Sequence, residues 1–143
     1  MVHTKTSGGF LISQIKQLQG RVFEKMLKES GVDAFNGAQG RILYVLWEHE
    51  RLTISEIGRL TSLANTSLTS MLDRMEEGGL IVRIPDNHNR RQTFITITEQ
   101  AKAYREAYDL VSEQMNTLFY QGFTESEVTA LEKMLSRIVD NLK

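Results

Sequence analysis

Between Leu52 and Thr98 the chain switches from helical to strand periodicity across a glycine pair, and that switch narrows the folds open to it. Thr53 and Glu56 have the spacing of a capping box, and Ile54, Ile57, Leu60 and Leu63 are the expected inward face of a short helix. A turn at Thr61-Ser62-Leu63-Ala64 leads to a second helix over Asn65 to Glu77, which buries Leu68, Met71, Leu72 and Met75. Gly78-Gly79 supplies the left-handed residue that ends it. Ile81-Val82-Arg83-Ile84 and Thr93-Phe94-Ile95-Thr96-Ile97 then alternate with period two and predict a pair of antiparallel strands. A basic loop from Pro85 to Arg91 joins them. Helix, turn, helix and hairpin in that order predict a winged helix-turn-helix, a shape that sets one helix in the DNA major groove with a β-loop beside it.

The flanks are helical. Only one proline occurs, and Phe10 to Ser30 carries Leu11, Ile15, Leu18, Val22 and Met26 on one stripe before Gly31 stops it. A second helix from about Gly37 to His49 is apolar nearly all round, as a helix buried on several sides must be. Thr98 caps a long helix predicted from Glu99 to about Gln121, which Gly122 breaks. Thr124 and Glu127 form another capping box for a last helix lined by Val128, Leu131, Leu135, Ile138 and Leu142. The fold class is therefore mainly α with a small β-wing, in a single compact chain over residues 1–143. Residues 31–98 form the winged helix-turn-helix, and residues 1–30 and 99–143 a helical dimerisation region. The outer stripes are too large for a motif of this size to cover. Mutual burial in a two-fold dimer, through Leu11, Ile15, Leu118, Leu131, Leu135, Ile138 and Leu142, is the better solution. It also sets two recognition helices about one helical turn of DNA, roughly 34 Å, apart.

Composition bounds the chemistry. Without cysteine, disulfides, Cys-based zinc sites and thiol redox sensing are excluded. No apolar run approaches a membrane span, and the polar start from Met1 to Gly9 does not read as a signal peptide, so a cytoplasmic location is expected. A net charge of −1 argues against non-specific nucleic-acid binding, but the charges are uneven. Arg83, Arg90 and Arg91 outnumber Asp86 around the hairpin, while the C-terminal third is acidic. A basic tip on an acidic body suits a protein that presents one face to phosphates.

The second helix of the motif is the sharpest element. Asn65, Thr66, Ser67, Thr69 and Ser70 point outward in its first turns, and short hydroxyl and amide groups reach both phosphates and base edges. Acids appear only later, at Asp73, Glu76 and Glu77. Arg74 on the same broad face either reaches a phosphate or pairs with Glu77 or Asp73. In the loop, Arg90 is expected on DNA, and Arg91 is expected to pair with Asp86 and hold the wing's shape.

These residues resemble the MarR family of transcriptional regulators across nearly the whole chain. The resemblance is carried by Leu52-Thr53-x-x-Glu56-Ile57-Gly58-x-Leu60, by Ser67-Leu68-Thr69, by Leu72 to Arg83, and by the wing ending in Ile97-Thr98. It implies a homodimer, a recognition helix spanning Asn65 to Glu77 and a wing at Pro85 to Arg91 that includes His88. It further implies repression from a palindromic operator in double-stranded DNA, with release by a small, often aromatic, effector. Three positions depart from the family pattern: His88 and Asn89 replace the middle Arg and Asp of its wing, and Ser70 stands where a basic residue is common.

Tyr44, Trp47, Tyr104 and Tyr108 are the candidates to line an effector cleft, although aromatics at helical spacing more often form plain core. No cofactor is expected. Nor is a metal site, since His3, His49 and His88 are scattered, although a metal-responsive relative is an alternative. No phosphate loop, nucleophile elbow or catalytic triad context is present, so an enzyme is not expected. The remaining rival is a winged-helix protein-interaction module without DNA specificity.

Overall fold

A computed structural model of the chain describes residues 5–143, so His3 lies outside the described residues. The chain divides into two compact units, one reaching to Val111 and the other running from Ser112 to Lys143. The division falls inside a helix, whereas the sequence places its regional boundary at Thr98.

The first unit begins with α1 (Gly8–Glu29). Gly31 adopts a φ of +78°, a left-handed conformation that turns the chain out of that helix. Next comes α2 (Gly37–Glu48), capped by a reciprocal box in which the Asn36 side chain accepts from the Gln39 N–H and Gln39 accepts from the Asn36 N–H. The Glu24 carboxylate of α1 accepts a further hydrogen bond from the Gly37 N–H, placing negative charge at the positive end of α2.

The predicted motif follows. A short strand β1 (Leu52–Thr53) precedes α3 (Ile54–Thr61), and α4 (Asn65–Glu77) leads into β2 (Ile81–Pro85) and β3 (Thr93–Ile97). The sheet has the order β1-β3-β2, antiparallel throughout, with Leu52 opposite Ile95 and Arg83 also opposite Ile95. Thr53 and Glu56 make the expected capping box of α3. Leu60, expected to point inward, is instead exposed. Ile57 alone of the four is fully buried, because α3 turns a narrow face to α2 and α4.

The long helix predicted from Glu99 is broken into α5 (Glu99–Lys102) and α6 (Arg105–Phe119). At the break, the Ala101 carbonyl accepts from the indole Nε1 of Trp47 at 3.1 Å and from the Tyr104 N–H at 3.2 Å. In an unbroken helix that oxygen would accept from the N–H four residues on. Arg105 fixes the far side, donating to the Trp47 carbonyl at 2.9 Å and to Glu48 at 2.7 Å. A contact made by a distant part of the chain thus overrides continuous helical propensity.

The core of this unit gathers Leu27, Ile42, Leu43, Leu46, Ile57, Leu68, Leu72, Leu80, Ile81 and Ile95, all essentially inaccessible to solvent. In the second unit, α7 (Glu125–Leu142) starts at the expected Thr124–Glu127 box and has no fully buried residue. Gly122 takes a φ of +86° before it. Tyr120 packs edge-on between Phe119 and Phe123 and donates its hydroxyl to Glu132 at 2.7 Å, which raises the phenol pKa. No helix among the described residues is long and apolar enough to cross a membrane.

Candidate nucleic-acid interface

The outward face of α4 is built by subtraction. Leu68, Leu72 and Met75, spaced four and three apart, bury one stripe against α3 and the sheet, and the opposite stripe must face outward. Asn65, Thr66, Ser67, Thr69 and Ser70 are all exposed. None of them caps the helix: the N-cap is Ala64, which has no side-chain oxygen to offer. Only Thr69 turns inward on its own backbone, donating to the Asn65 carbonyl at 2.9 Å. The first turn carries no acid, so its free N–H groups and positive dipole end are open to an anion.

The turn that delivers α4 rests on two local devices. Thr61 Oγ1 donates to the Ile57 carbonyl and accepts from the Leu63 N–H. Ser62 takes a φ of +60°, the one left-handed non-glycine residue among those described.

Arg74 is exposed and takes part in no ion pair among the described residues. Of the two partners expected for Arg74, Asp73 is paired with Arg83, which also holds Glu76, and no Arg74–Glu77 pair is among the ion pairs of the described residues. Arg83 is therefore a neutralised charge on β2 and not part of a free basic tip, a correction to its grouping with Arg90 and Arg91.

The wing is shaped without the expected Asp86–Arg91 pair, which is absent from the ion pairs among the described residues. Asp86 Oδ1 instead accepts from the His88 N–H at 2.9 Å, and Asn89 Oδ1 accepts from the Arg91 N–H at 3.1 Å. Each contact spans two residues, and such local side chain-to-backbone turns form more readily than a bridge across the loop. The Asp86 N–H closes the hairpin onto the Gln92 carbonyl at 3.1 Å. His88, Arg90 and Arg91 are left exposed, and neither arginine has an ion-pair partner among the described residues. Arg51, on the strand side, stacks over the Phe94 ring at 4.2 Å from its centroid.

The aromatic set separates. Trp47 and Tyr108 are nearly buried, and both pack with Tyr104 around Phe35, whose ring centroid lies 5.7 Å from that of Tyr104 and 6.1 Å from that of Tyr108. Phe23 adds an edge contact to Tyr108 at 5.6 Å. Trp47, Tyr108 and Phe35 belong to the buried core, and Tyr104 packs against it partly buried. Tyr44 stands apart and is exposed. Phe23 widens the apolar stripe of the first helix in the sequence, whereas nothing in the sequence singles out Phe35; only the fold brings both to Tyr108. A hollow of about 310 Å³ is lined by Phe35 together with Val32, Asp33, Asn36, Gln39, Glu24 and Lys28. Among the described residues no group of three His, Asp or Glu could hold a metal, and His49 Nδ1 sits 2.8 Å from the Val45 carbonyl.

Of the residues expected at the dimer contact, Leu11, Ile15, Leu118, Ile138 and Leu142 are exposed, and Leu131 and Leu135 are half-buried.

Known proteins share this arrangement. Residues 35–93 match the model of the MarR family. The chain is 29% identical over 120 residues to the HTH-type transcriptional repressor IacR of Pseudomonas putida, an alignment covering 84% of this chain and 70% of that one. It is 41% identical over 64 residues to the organic hydroperoxide resistance transcriptional regulator of Bacillus subtilis, covering 45% of this chain and 44% of the relative. Among solved structures, a mutant of Escherichia coli MarR complexed with operator DNA superposes with a TM-score of 0.82. That pair is 27% identical, and the match covers 91% of each chain.

Proposed function

We propose that the chain is a member of the MarR family, to whose model residues 35–93 match, and that it is a homodimeric, sequence-specific regulator of transcription. It represses by occupying a palindromic operator, acts in the cytoplasm and is released by a small aromatic effector. The observation that carries the reading is the exposed, acid-free start of α4, Asn65, Thr66, Ser67, Thr69 and Ser70, which no capping role explains. The similar E. coli protein is seen with operator DNA, and IacR is named a repressor.

In this reading Asn65, Thr66, Ser67, Thr69 and Ser70 meet base edges and flanking phosphates, with the helix dipole favouring the anion. Arg74, His88, Arg90 and Arg91 meet the backbone. Asp86 shapes the wing through its backbone contact. Bare leucine and isoleucine on α1, α6 and α7 become the dimer contact, since exposed apolar patches mark association sites. For an effector of aromatic character, Phe35 in the wall of the hollow offers a ring to meet.

Selection of bound duplexes from a randomised library tests the proposal. Enrichment of a palindrome about two helical turns long is the expected result. Recovery of duplexes without any sequence preference would refute it and favour an interaction module.

A further inference from the structure

Arg83 lies on β2, the strand that leads into the wing, yet both ends of its guanidinium are committed to α4. Nη2 donates to Asp73 Oδ1 at 2.8 Å and Nη1 donates to Glu76 Oε1 at 2.6 Å. Asp73 and Glu76 follow Thr66, Thr69 and Ser70 at spacings of three and four, so all five residues share one stripe of the helix. Two bare carboxylates there would repel the phosphates that the first half of the stripe is suited to approach.

The arginine side chain is 26% exposed, against 58% for Asp73 and 42% for Glu76, so it is the sheltered member of the trio. Partial burial works against its charge, but the two carboxylates outweigh that and leave its pKa raised. Only a forked, permanently charged group reaches two carboxylates one turn apart; a lysine offers a single point charge.

We propose that Arg83 is a positioning residue for DNA binding: paired to Asp73 and Glu76, it masks the two carboxylates on the reading stripe and ties that helix to the base of the wing. This rests on the regulator reading above. A purely structural arginine would leave no signature in the charge balance with DNA, whereas a mask must.

The test uses the full chain and the duplex enriched from the randomised library, with affinity followed from low to high salt and folding checked by thermal melting. Arg83→Gln is expected to bind roughly tenfold more weakly at low salt. The deficit should shrink as salt screens the exposed carboxylates. The triple variant D73N/E76Q/R83Q should recover to within about threefold of the parent, since no charge is left to mask. If Arg83→Gln does not fold, D73N/E76Q alone decides, and it should bind at least as tightly as the parent.

Arg83→Gln binding like the parent, a triple variant as weak as the single one, a salt-independent deficit, or a double variant weaker than the parent would each overturn the mask. A parent chain that enriches no duplex would remove the regulator reading itself, and this inference with it.

Discussion

The indole Nε1 of Trp47 donates to the carbonyl of Ala101 at 3.1 Å, a bond between residues 54 apart in sequence. It ties α2 to the point where α5 gives way to α6, and it occupies the oxygen that would otherwise continue the helix. Trp47→Phe should cost on the order of 2 kcal/mol, from the lost buried bond and the smaller ring. Chemical denaturation measures it. Tyr44→Phe, on the exposed ring, should stay within about 0.5 kcal/mol of the parent.

Two helical glycines should respond oppositely to alanine. A Cβ on Gly40 would sit 2.7 Å from Tyr108 Cε2 and 3.2 Å from Phe35 Cε2, inside a filled aromatic core. Gly40→Ala should therefore destabilise by about 1–3 kcal/mol despite the better helix propensity of alanine. At Gly58 the nearest atom to a new Cβ is 3.5 Å away, an ordinary contact. Gly58→Ala should gain up to about 1 kcal/mol. Thermal melting of both variants settles the contrast.

Acid should weaken the start of α3. Glu56 accepts from the Thr53 N–H, and that bond, with the Thr53 hydroxyl next, lowers its carboxyl pKa. A group with a lowered folded pKa contributes stability above its unfolded value and loses it as pH falls through the folded value. Glu56→Gln keeps an acceptor for the cap but cannot titrate. Its stability should thus fall less than the parent's as pH drops below the ordinary carboxylate range, as urea midpoints across that range would reveal.

The wing arginines should act through counterions. Arg90 and Arg91 are exposed, with no ion pair among the described residues to compete for them. Each of Arg90→Ala and Arg91→Ala should reduce the slope of log affinity against log salt by about 0.9. Thermal stability should barely move, and unchanged slopes would take the wing off the DNA backbone.

What is legible in the chain is local. The caps at Thr53–Glu56 and Thr124–Glu127, the bounds of the helix Asn65–Glu77 and the glycine stop at Gly79 are settled within a few residues of themselves. What escapes is made at a distance. The two-residue strand Leu52–Thr53 exists only because β3 pairs with it, and the break after Lys102 depends on Trp47. The partners of Arg83 lie seven and ten residues before it, across the Gly78-Gly79 turn, and no periodicity announces them. Asp86 sits in the wing as its sequence context predicts but takes a different partner, because a two-residue backbone turn leaves no charge pattern to read.

Two copies of this chain laying the Asn65–Ser70 stripe into neighbouring turns of one major-groove face is the claim on which the rest depends. Footprinting of the enriched duplex, with the parent chain and with Ile138→Asp on the exposed face of α7, tests it most directly. The expected result is two protected half-sites centred about one helical turn (~34 Å) apart for the parent, and loss of both for the variant. A single protected half-site, or two that survive in a monomeric Ile138→Asp, would contradict it.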